Sequence, residues 1–304
     1  MKEIYVLEHF DFSNEQINLL KSLGNIHYFE KANNKQINEA IKFADVILLD
    51  WIDPDPILSK MRSGQFICLP YTGYNWIKNV KLAKEKGVII ANTPNYSTNA
   101  VAEYHLSLIL DCAKHITNFN NIYKSGKKVE FNRGIELKGK RVGIIGLGCI
   151  GRRLAELLEG FGVDIVAYNR TRKNLSNIKE VDLETLLKDS DIICNTCKLT
   201  PQTKDLISMK QFKLMKSNVI LTSTTGGIIN LLELSKFFET GASFFGVGLD
   251  DVDQQVVPKS LLEKDNVICT YHRAFDTKES ENTRINICIE NIKGFLEGKP
   301  INII

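Results

Sequence analysis

The chain has 304 residues, of which 43% are hydrophobic and 25% charged, and a formal net charge of +3. Its length exceeds one ordinary core and suits two domains at ~100–200 residues each. The composition is that of a folded globular protein and excludes a disordered or fibrous chain. No run approaches the ~18 apolar residues of a membrane span, and the N-terminal MKEIYVLEHF lacks the basic-then-apolar order of a secretory leader. A cytoplasmic protein is expected, with no membrane or nucleic-acid partner.

In chain order, residues 3–9 read as a strand, 14–24 as a helix, 44–50 and 66–70 as strands, 78–87 as a helix and 88–94 as a strand. Short apolar runs separated by amphipathic stretches imply a parallel sheet with crossover helices. Over 101–126 apolar residues recur at helical spacing and end in a polar, Gly-terminated tail, which predicts one long helix. A second alternation begins at Lys140. A strand runs into glycines over 141–148, followed by a helix (152–162), a strand (163–169), a helix (181–190), a strand (191–197) and a helix (208–215). Strands follow at 218–224, 244–251 and 266–272, and 277–298 is again amphipathic.

Gly146-Leu147-Gly148-Cys149-Ile150-Gly151 follows the apolar strand and opens a helix, the context in which G-x-G-x-x-G signifies dinucleotide binding. Gly146 permits the tight turn, Gly148 lets the backbone approach a pyrophosphate at the helix N-terminus, and Gly151 allows close packing of helix on strand. Cys149 and Ile150 fall within the same loop. About 20 residues further on, an acidic residue would bind the ribose 2′-OH and repel a 2′-phosphate. The chain instead has Asn169, Arg170, Thr171, Arg172 and Lys173. That favours NADP(H); NAD is the alternative if these cations only face water.

The seven cysteines lie in apolar strings and read as reduced core residues. Cys194 and Cys197 form a nominal C-x-x-C at the end of a buried strand, not the helix N-terminus a redox pair requires. The five histidines offer no zinc-binding spacing, so no metal is expected.

These residues carry a resemblance to the D-isomer-specific 2-hydroxyacid dehydrogenases over nearly the whole chain. Asn92-Thr93-Pro94 with residues 97–103 resembles the family's entry into its interdomain helix. Leu199-Thr200-Pro201-Gln202-Thr203 resembles its loop beneath the cofactor, and Gly226-Gly227, Gly248-Leu249-Asp250 and Thr270-Tyr271-His272 match its last landmarks. The segment 168–173 and the cysteine before Lys198 are most similar to NADPH-preferring glyoxylate and hydroxypyruvate reductases. The resemblance implies cofactor contacts at Thr196, Cys197, Thr203, Ser223, Thr224 and Asp250. It implies substrate contacts at Thr72, Gly73 and Tyr74, in a loop that includes Tyr71 and Asn75, and places the catalytic acid/base at His272, whose imidazole suits proton transfer near neutral pH.

Two positions depart from the family. Thr225 stands where an arginine would grip the substrate carboxylate, and a hydroxyl cannot make that bidentate charged contact. Gln255 stands where a glutamate would pair with the histidine, and an amide cannot stabilise imidazolium as a carboxylate does. Asp253 is the alternative carboxylate if the loop is shifted. Arg273 and Lys198 are nearby cations that could bind an anion, and Arg273 can share a cleft with His272 only if the strand has already ended.

The expected fold is α/β: two Rossmann-like domains with parallel sheets, the dinucleotide-binding domain (100–275) inserted into a substrate domain (1–99 and 276–304), with the nicotinamide in the cleft between them. The resemblance implies a homodimer. Two functions stay open: an NAD(P)H-dependent oxidoreductase acting on a small oxo compound, or a dinucleotide-binding sensor, regulator or scaffold without efficient turnover.

Overall fold

The computed structural model describes residues 1–74, 76–128, 132–252 and 254–304. Asn75 and Asp253 lie outside the described residues. The chain divides into two compact units, Met1–Ser97 with Asp276–Ile304, and Thr98–Phe275.

In the first unit the elements are β1 (Glu3–Val6), α1 (Asn14–Leu23), β2 (Asn25–Tyr28), α2 (Asn34–Phe43), β3 (Val46–Leu48), α3 (Pro54–Leu58), β4 (Phe66–Leu69), α4 (Val80–Glu85) and β5 (Ile89–Asn92). The strands form one parallel sheet in the order β2-β1-β3-β4-β5. Local chemistry starts the first two helices: Ser13 with Gln16, and Asn33 with Gln36, each form a reciprocal capping box that satisfies N–H groups the helix leaves unpaired. The sequence reading passed over β2 and α2. β2 has no fully buried residue and α2 buries only Ala40, so neither carries a strong apolar signal.

The second unit holds α5 (Thr98–Lys114), α6 (Ile116–Lys124), β6 (Arg141–Ile145), α7 (Cys149–Leu158), β7 (Asp164–Tyr168), β8 (Lys179–Glu180), α8 (Leu183–Asp189), β9 (Ile192–Asn195), α9 (Met209–Phe212), β10 (Ile220–Ser223), α10 (Leu231–Glu239), β11 (Gly246–Leu249), α11 (Lys259–Leu262) and β12 (Val267–Cys269). The parallel sheet runs β12-β11-β10-β9-β6-β7-β8. Strand order reverses between β6 and β9, and in doubly wound sheets the crevice beyond the carboxyl ends of such a pair is where ligands bind. Fully buried apolar side chains cover both faces of this sheet: Ile193, Leu221 and Val247 on one, Val142, Ile144 and Ile220 on the other. Both sheets are therefore of the all-parallel, doubly covered kind.

The chain ends in α12 (Lys278–Leu296), which belongs to the first unit. Its Ile285, Cys288, Ile289 and Ile292 pack with Ile4, Val46 and Phe66 of the first sheet.

The single long helix expected over 101–126 is two helices. His115 adopts a left-handed backbone (φ 55°) between α5 and α6, with its ring 4.8 Å from that of Phe245. The Asp111 carboxylate accepts hydrogen bonds from the Thr117 N–H and hydroxyl at 2.8 and 2.5 Å, starting the second helix afresh. Among the described residues no helix is long and apolar enough to cross a membrane.

Candidate active site

The glycine-rich turn links β6 to α7. Gly146 takes φ +103°, and a Cβ there would lie 2.9 Å from the Cys197 backbone nitrogen, so the turn and the segment after β9 are pressed together. A Cβ on Gly151 would stand 2.0 Å from the Gly146 carbonyl oxygen and 2.7 Å from Thr196 Oγ1. Only glycine lets α7 start this close to β6. Gly148 differs: a Cβ there would meet no protein atom within 4 Å, and the residue caps α7 without a side-chain hydrogen bond. Its exposed backbone and the first N–H groups of α7 make the electropositive cradle a pyrophosphate needs, so these residues fit a dinucleotide.

Thr196 donates to the Gly146 carbonyl oxygen at 2.6 Å. Cys197 donates from Sγ to Asn195 Oδ1 at 2.8 Å, and burial pushes its thiol up to about 11. Cys194, fully buried in β9, is pushed up to about 12, so both thiols stay protonated. Thr203 donates to the Lys198 carbonyl oxygen at 2.7 Å. Cys149 opens α7, its sulfur accepting from Arg152 Nη2 at 3.7 Å, and Ile150 follows it.

Asn169, at the end of β7, accepts from the Leu147 N–H at 3.0 Å and donates to the Thr171 carbonyl oxygen at 2.5 Å. Its amide thus ties the glycine turn to the basic segment. Arg170, Thr171, Arg172 and Lys173 are exposed, and the Glu180 carboxylate accepts from the backbone N–H groups of Lys173 and Asn174.

After β10 the chain enters the segment that carries Thr225. Ser223 Oγ accepts from Asn195 Nδ2 at 2.9 Å and from the Thr225 N–H at 3.3 Å, and donates to the Thr225 carbonyl oxygen at 3.0 Å. Thr224 is held from α5: His105, fully buried, has Nε2 2.9 Å from Thr224 Oγ1 and Nδ1 3.3 Å from Thr222 Oγ1. Burial depresses the His105 imidazole to about 4, so it is neutral. Sequence reading missed this residue, because nothing in an apolar helical run signals a partner on another element.

β12 ends at Cys269, three residues before His272, so the histidine lies in a turn rather than on a strand. Asp250, almost fully buried, shapes that turn. Its carboxylate accepts from Thr270 Oγ1 at 2.7 Å, the Arg273 N–H at 2.9 Å and the Ala274 N–H at 2.9 Å. His272 consequently stands at φ +50° with about half its side chain exposed, its ring 5.1 Å from that of Phe275. Arg273, also past the strand, has an exposed side chain.

The carboxylate facing His272 comes from Asp251, which the sequence reading did not consider: Nδ1 and Oδ1 are 2.6 Å apart. Sequence points to Gln255 as the partner and to Asp253 as the alternative carboxylate; Asp253 lies outside the described residues, and the described carboxylate at the imidazole is that of Asp251. The second oxygen of Asp251 accepts from the Gly226 N–H at 2.9 Å. The Asp251 hydrogen bond holds the His272 imidazole above its usual value against burial. Burial pushes the Asp251 carboxyl up, but hydrogen bonds from His272 and Gly226 outweigh it and hold it below the usual carboxylate range.

In the first unit, the segment after β4 is fastened by both its side chains and its backbone. Thr72 Oγ1 donates to the Thr93 carbonyl oxygen at 3.0 Å, Asn92 Nδ2 to the Thr72 carbonyl oxygen at 2.9 Å, and Tyr71 to the Asp50 carbonyl oxygen. A Cβ on Gly73 would meet nothing within 4 Å, and Tyr74 packs against the core of this unit. Among the described residues no cluster of His, Cys, Asp and Glu is arranged to hold a metal.

A doubly wound sheet with a glycine cradle at its switch point is the arrangement of a dinucleotide-binding domain. Residues 106–274 match the NAD-binding domain of the D-isomer-specific 2-hydroxyacid dehydrogenases, and the chain belongs to that family. It is 30% identical over 303 residues to a hydroxypyruvate reductase of Blautia hydrogenotrophica, covering 94% of this chain and 93% of the relative. It is 34% identical over 273 residues to a glyoxylate reductase of Thermococcus litoralis, covering 85% and 82%. Among solved structures, an acyclic imino acid reductase in complex with NADPH and D-Arg superposes with a TM-score of 0.88 at 26% identity, each chain covered in full. Of the two functions open from sequence, the family carries the oxidoreductase acting on CH–OH/C=O groups with a nicotinamide dinucleotide.

Proposed function

We propose that the protein is an NADPH-dependent reductase of a small oxo compound, with His272 as its proton donor. The observation that carries this reading is the Asp250 carboxylate. By gripping Thr270, Arg273 and Ala274 it turns His272 outward in a fixed pose, and preorganised groups of this kind are what proton-transfer catalysis requires. A reduced nicotinamide dinucleotide held at Gly146, Gly148 and Gly151 would supply the hydride and be oxidised in doing so. His272, engaged by Asp251 through Nδ1, releases the proton on Nε2 to the substrate oxygen as the C=O π pair moves onto that atom. The products are a hydroxyl compound and a neutral imidazole.

Gly146, Gly148, Cys149, Ile150 and Gly151 form the pyrophosphate cradle in this reading, and the segments at Thr196, Cys197, Thr203, Ser223, Thr224 and Asp250 border the nicotinamide half. Exposed Arg170 and Arg172, with Asn169 in place of an acidic residue, support preference for a 2′-phosphate. On the dinucleotide-binding unit the candidates to meet substrate are Thr225 and Arg273; on the first unit the family resemblance gives Thr72, Gly73 and Tyr74 as substrate contacts. With Thr225 where the family resemblance leads one to expect an arginine, the substrate need not be a 2-oxo acid held in the usual way. A cytoplasmic homodimer paired through the dinucleotide-binding unit completes the proposal.

The test follows NADPH absorbance with glyoxylate, hydroxypyruvate, pyruvate and a panel of aldehydes and ketones. Turnover that disappears in His272→Ala supports the proposal; tight NADPH binding without turnover on any compound overturns it.

A second reading rests on the likeness to the imino acid reductase, whose chain this one covers in full. Reduction of a C=N bond passes through an iminium cation, which an arginine would repel and a neutral Thr225 would not. Adding ammonia or methylamine to each 2-oxo acid separates the two: turnover that requires the amine selects the imine.

A further inference from the structure

We propose that Asp251 is the positioning residue for proton transfer at this site, fixing the tautomer and charge of His272 while anchoring the Thr225–Gly226 backbone, so that one carboxylate aligns the acid with the substrate-binding segment. This rests on the reading of His272 as proton donor.

Three features carry it. First, the two oxygens of Asp251 are divided between the elements to be aligned, Oδ1 with His272 Nδ1 at 2.6 Å and Oδ2 with the Gly226 N–H at 2.9 Å. Second, the backbone is bent to allow it. Asp251 takes φ +62° and His272 φ +50°, a left-handed conformation that non-glycine residues adopt at a cost and keep only where surrounding bonds impose it. Third, the fit at Gly226 is close: a Cβ there would lie 2.3 Å from the Asp251 carbonyl oxygen, so the substrate-side segment rests directly on the residue that holds the acid.

The chemistry follows from the charge. With Nδ1–H donated to a carboxylate, the neutral imidazole is the Nδ1–H tautomer, and its Nε2 is the atom that gains and releases a proton. Among the described residues the charged groups that bear on the imidazole are Asp251, Asp250 and Arg273, with the Phe275 ring beside it. Both carboxylates favour the imidazolium and Arg273 opposes it; Asp250 spends its oxygens on three other donors, and of the described residues Asp251 is the one whose carboxylate bonds the ring directly. The amide of Gln255 carries no charge, whereas Asp251, four residues earlier, brings a carboxylate to the ring.

The experiment reads His272 directly. The five imidazoles of the intact protein are titrated by proton–nitrogen NMR, with His272→Gln assigning the relevant signal. The neutral form is expected as the Nδ1–H tautomer, and observation of the Nε2–H tautomer overturns the proposal without any variant. Asp251→Asn is expected to lower the His272 midpoint by about one pH unit or more, and Gln255→Ala to leave it in place. An unchanged midpoint in Asp251→Asn, or an equal drop in Gln255→Ala, overturns it. In turnover, the basic limb of kcat/KM moves down by the same interval in Asp251→Asn, with the dissociation constant for NADPH unchanged. Because the NMR needs no substrate, failure of the oxo-reductase reading and failure of this inference are separable.

Discussion

Arg284 of α12 grips Asp50, two residues beyond β3, through two hydrogen bonds of 2.5 and 3.1 Å, although 234 residues separate them. Both side chains are at most one-tenth exposed, and the same guanidinium reaches Glu281 one turn earlier. The pair fastens the returning C-terminal helix to the first sheet. Removing one partner of a buried pair strands the other charge, at ~3–5 kcal/mol. Arg284→Met is therefore expected to lower the urea midpoint strongly. Asp50→Asn is expected to cost less, since Glu281 still balances the cation.

His105 predicts a slope of stability with pH. Its folded value is depressed to about 4 from the ordinary 6.5, so between these values the unfolded chain binds the proton and the folded chain does not. Stability is complete above the unfolded value and is lost as pH falls from 6.5 toward 4, by up to ~3 kcal/mol at 1.36 kcal/mol per pH unit. Denaturant unfolding across that range should show the loss, and His105→Gln should flatten the slope. Equal slopes in both proteins would mean that the buried imidazole is not the group responsible.

Some of this organisation is local in the chain and therefore legible. The spacing of Gly146, Gly148 and Gly151 after an apolar strand is itself the geometric requirement of the turn, and the family landmarks drew attention to His272, whose role is the one proposed. What sequence did not disclose depends on backbone sign and tertiary partners. His115 breaks a helix whose apolar periodicity runs straight through it, because a left-handed residue and the Phe245 ring settle the matter. Asp251 escaped notice for the same reason. Loop spacing directed attention to Gln255 and Asp253, whereas a left-handed turn at 251 brings that carboxylate to the imidazole.

The glycine turn should separate folding from cofactor binding. A methyl at Gly151 meets a carbonyl oxygen at 2.0 Å, and one at Gly148 meets nothing. Gly151→Ala is expected to destabilise the fold by ~1–3 kcal/mol, the usual penalty of overpacking. Gly148→Ala should unfold like the wild type yet bind NADPH at least about tenfold more weakly, or ~1.4 kcal/mol. Calorimetric titration beside thermal unfolding checks both, and retained affinity in Gly148→Ala would place the pyrophosphate elsewhere.

Cofactor choice tests the exposed cations after β7. On the proposed reading a 2′-phosphate would gain charge-assisted hydrogen bonds from Arg170 and Arg172, each worth ~1.5–3 kcal/mol, and a 2′-hydroxyl would not. Arg170→Ala is thus expected to weaken NADPH by about tenfold or more while leaving NADH within about twofold. Equal affinity for NADH and NADPH in the wild type would refute the preference outright.

Thr225 offers the sharpest test of what the site reduces. Its backbone N–H and carbonyl are both bonded to Ser223 Oγ, so a new side chain can be introduced without releasing the segment. Thr225→Arg restores a bidentate partner for a carboxylate. If the substrate is a carbonyl compound, kcat/KM for glyoxylate and hydroxypyruvate should rise, by about 10²–10³ where the guanidinium reaches the developing oxyanion. Gln255→Glu should add little to it, because Asp251 already supplies the carboxylate at His272. If the substrate is an iminium ion, the same arginine places like charge against it and turnover with amine present should fall. The direction of change in one variant, measured with and without ammonia, decides between C=O and C=N. No change in either assay would show that Thr225 lies away from the reacting atoms.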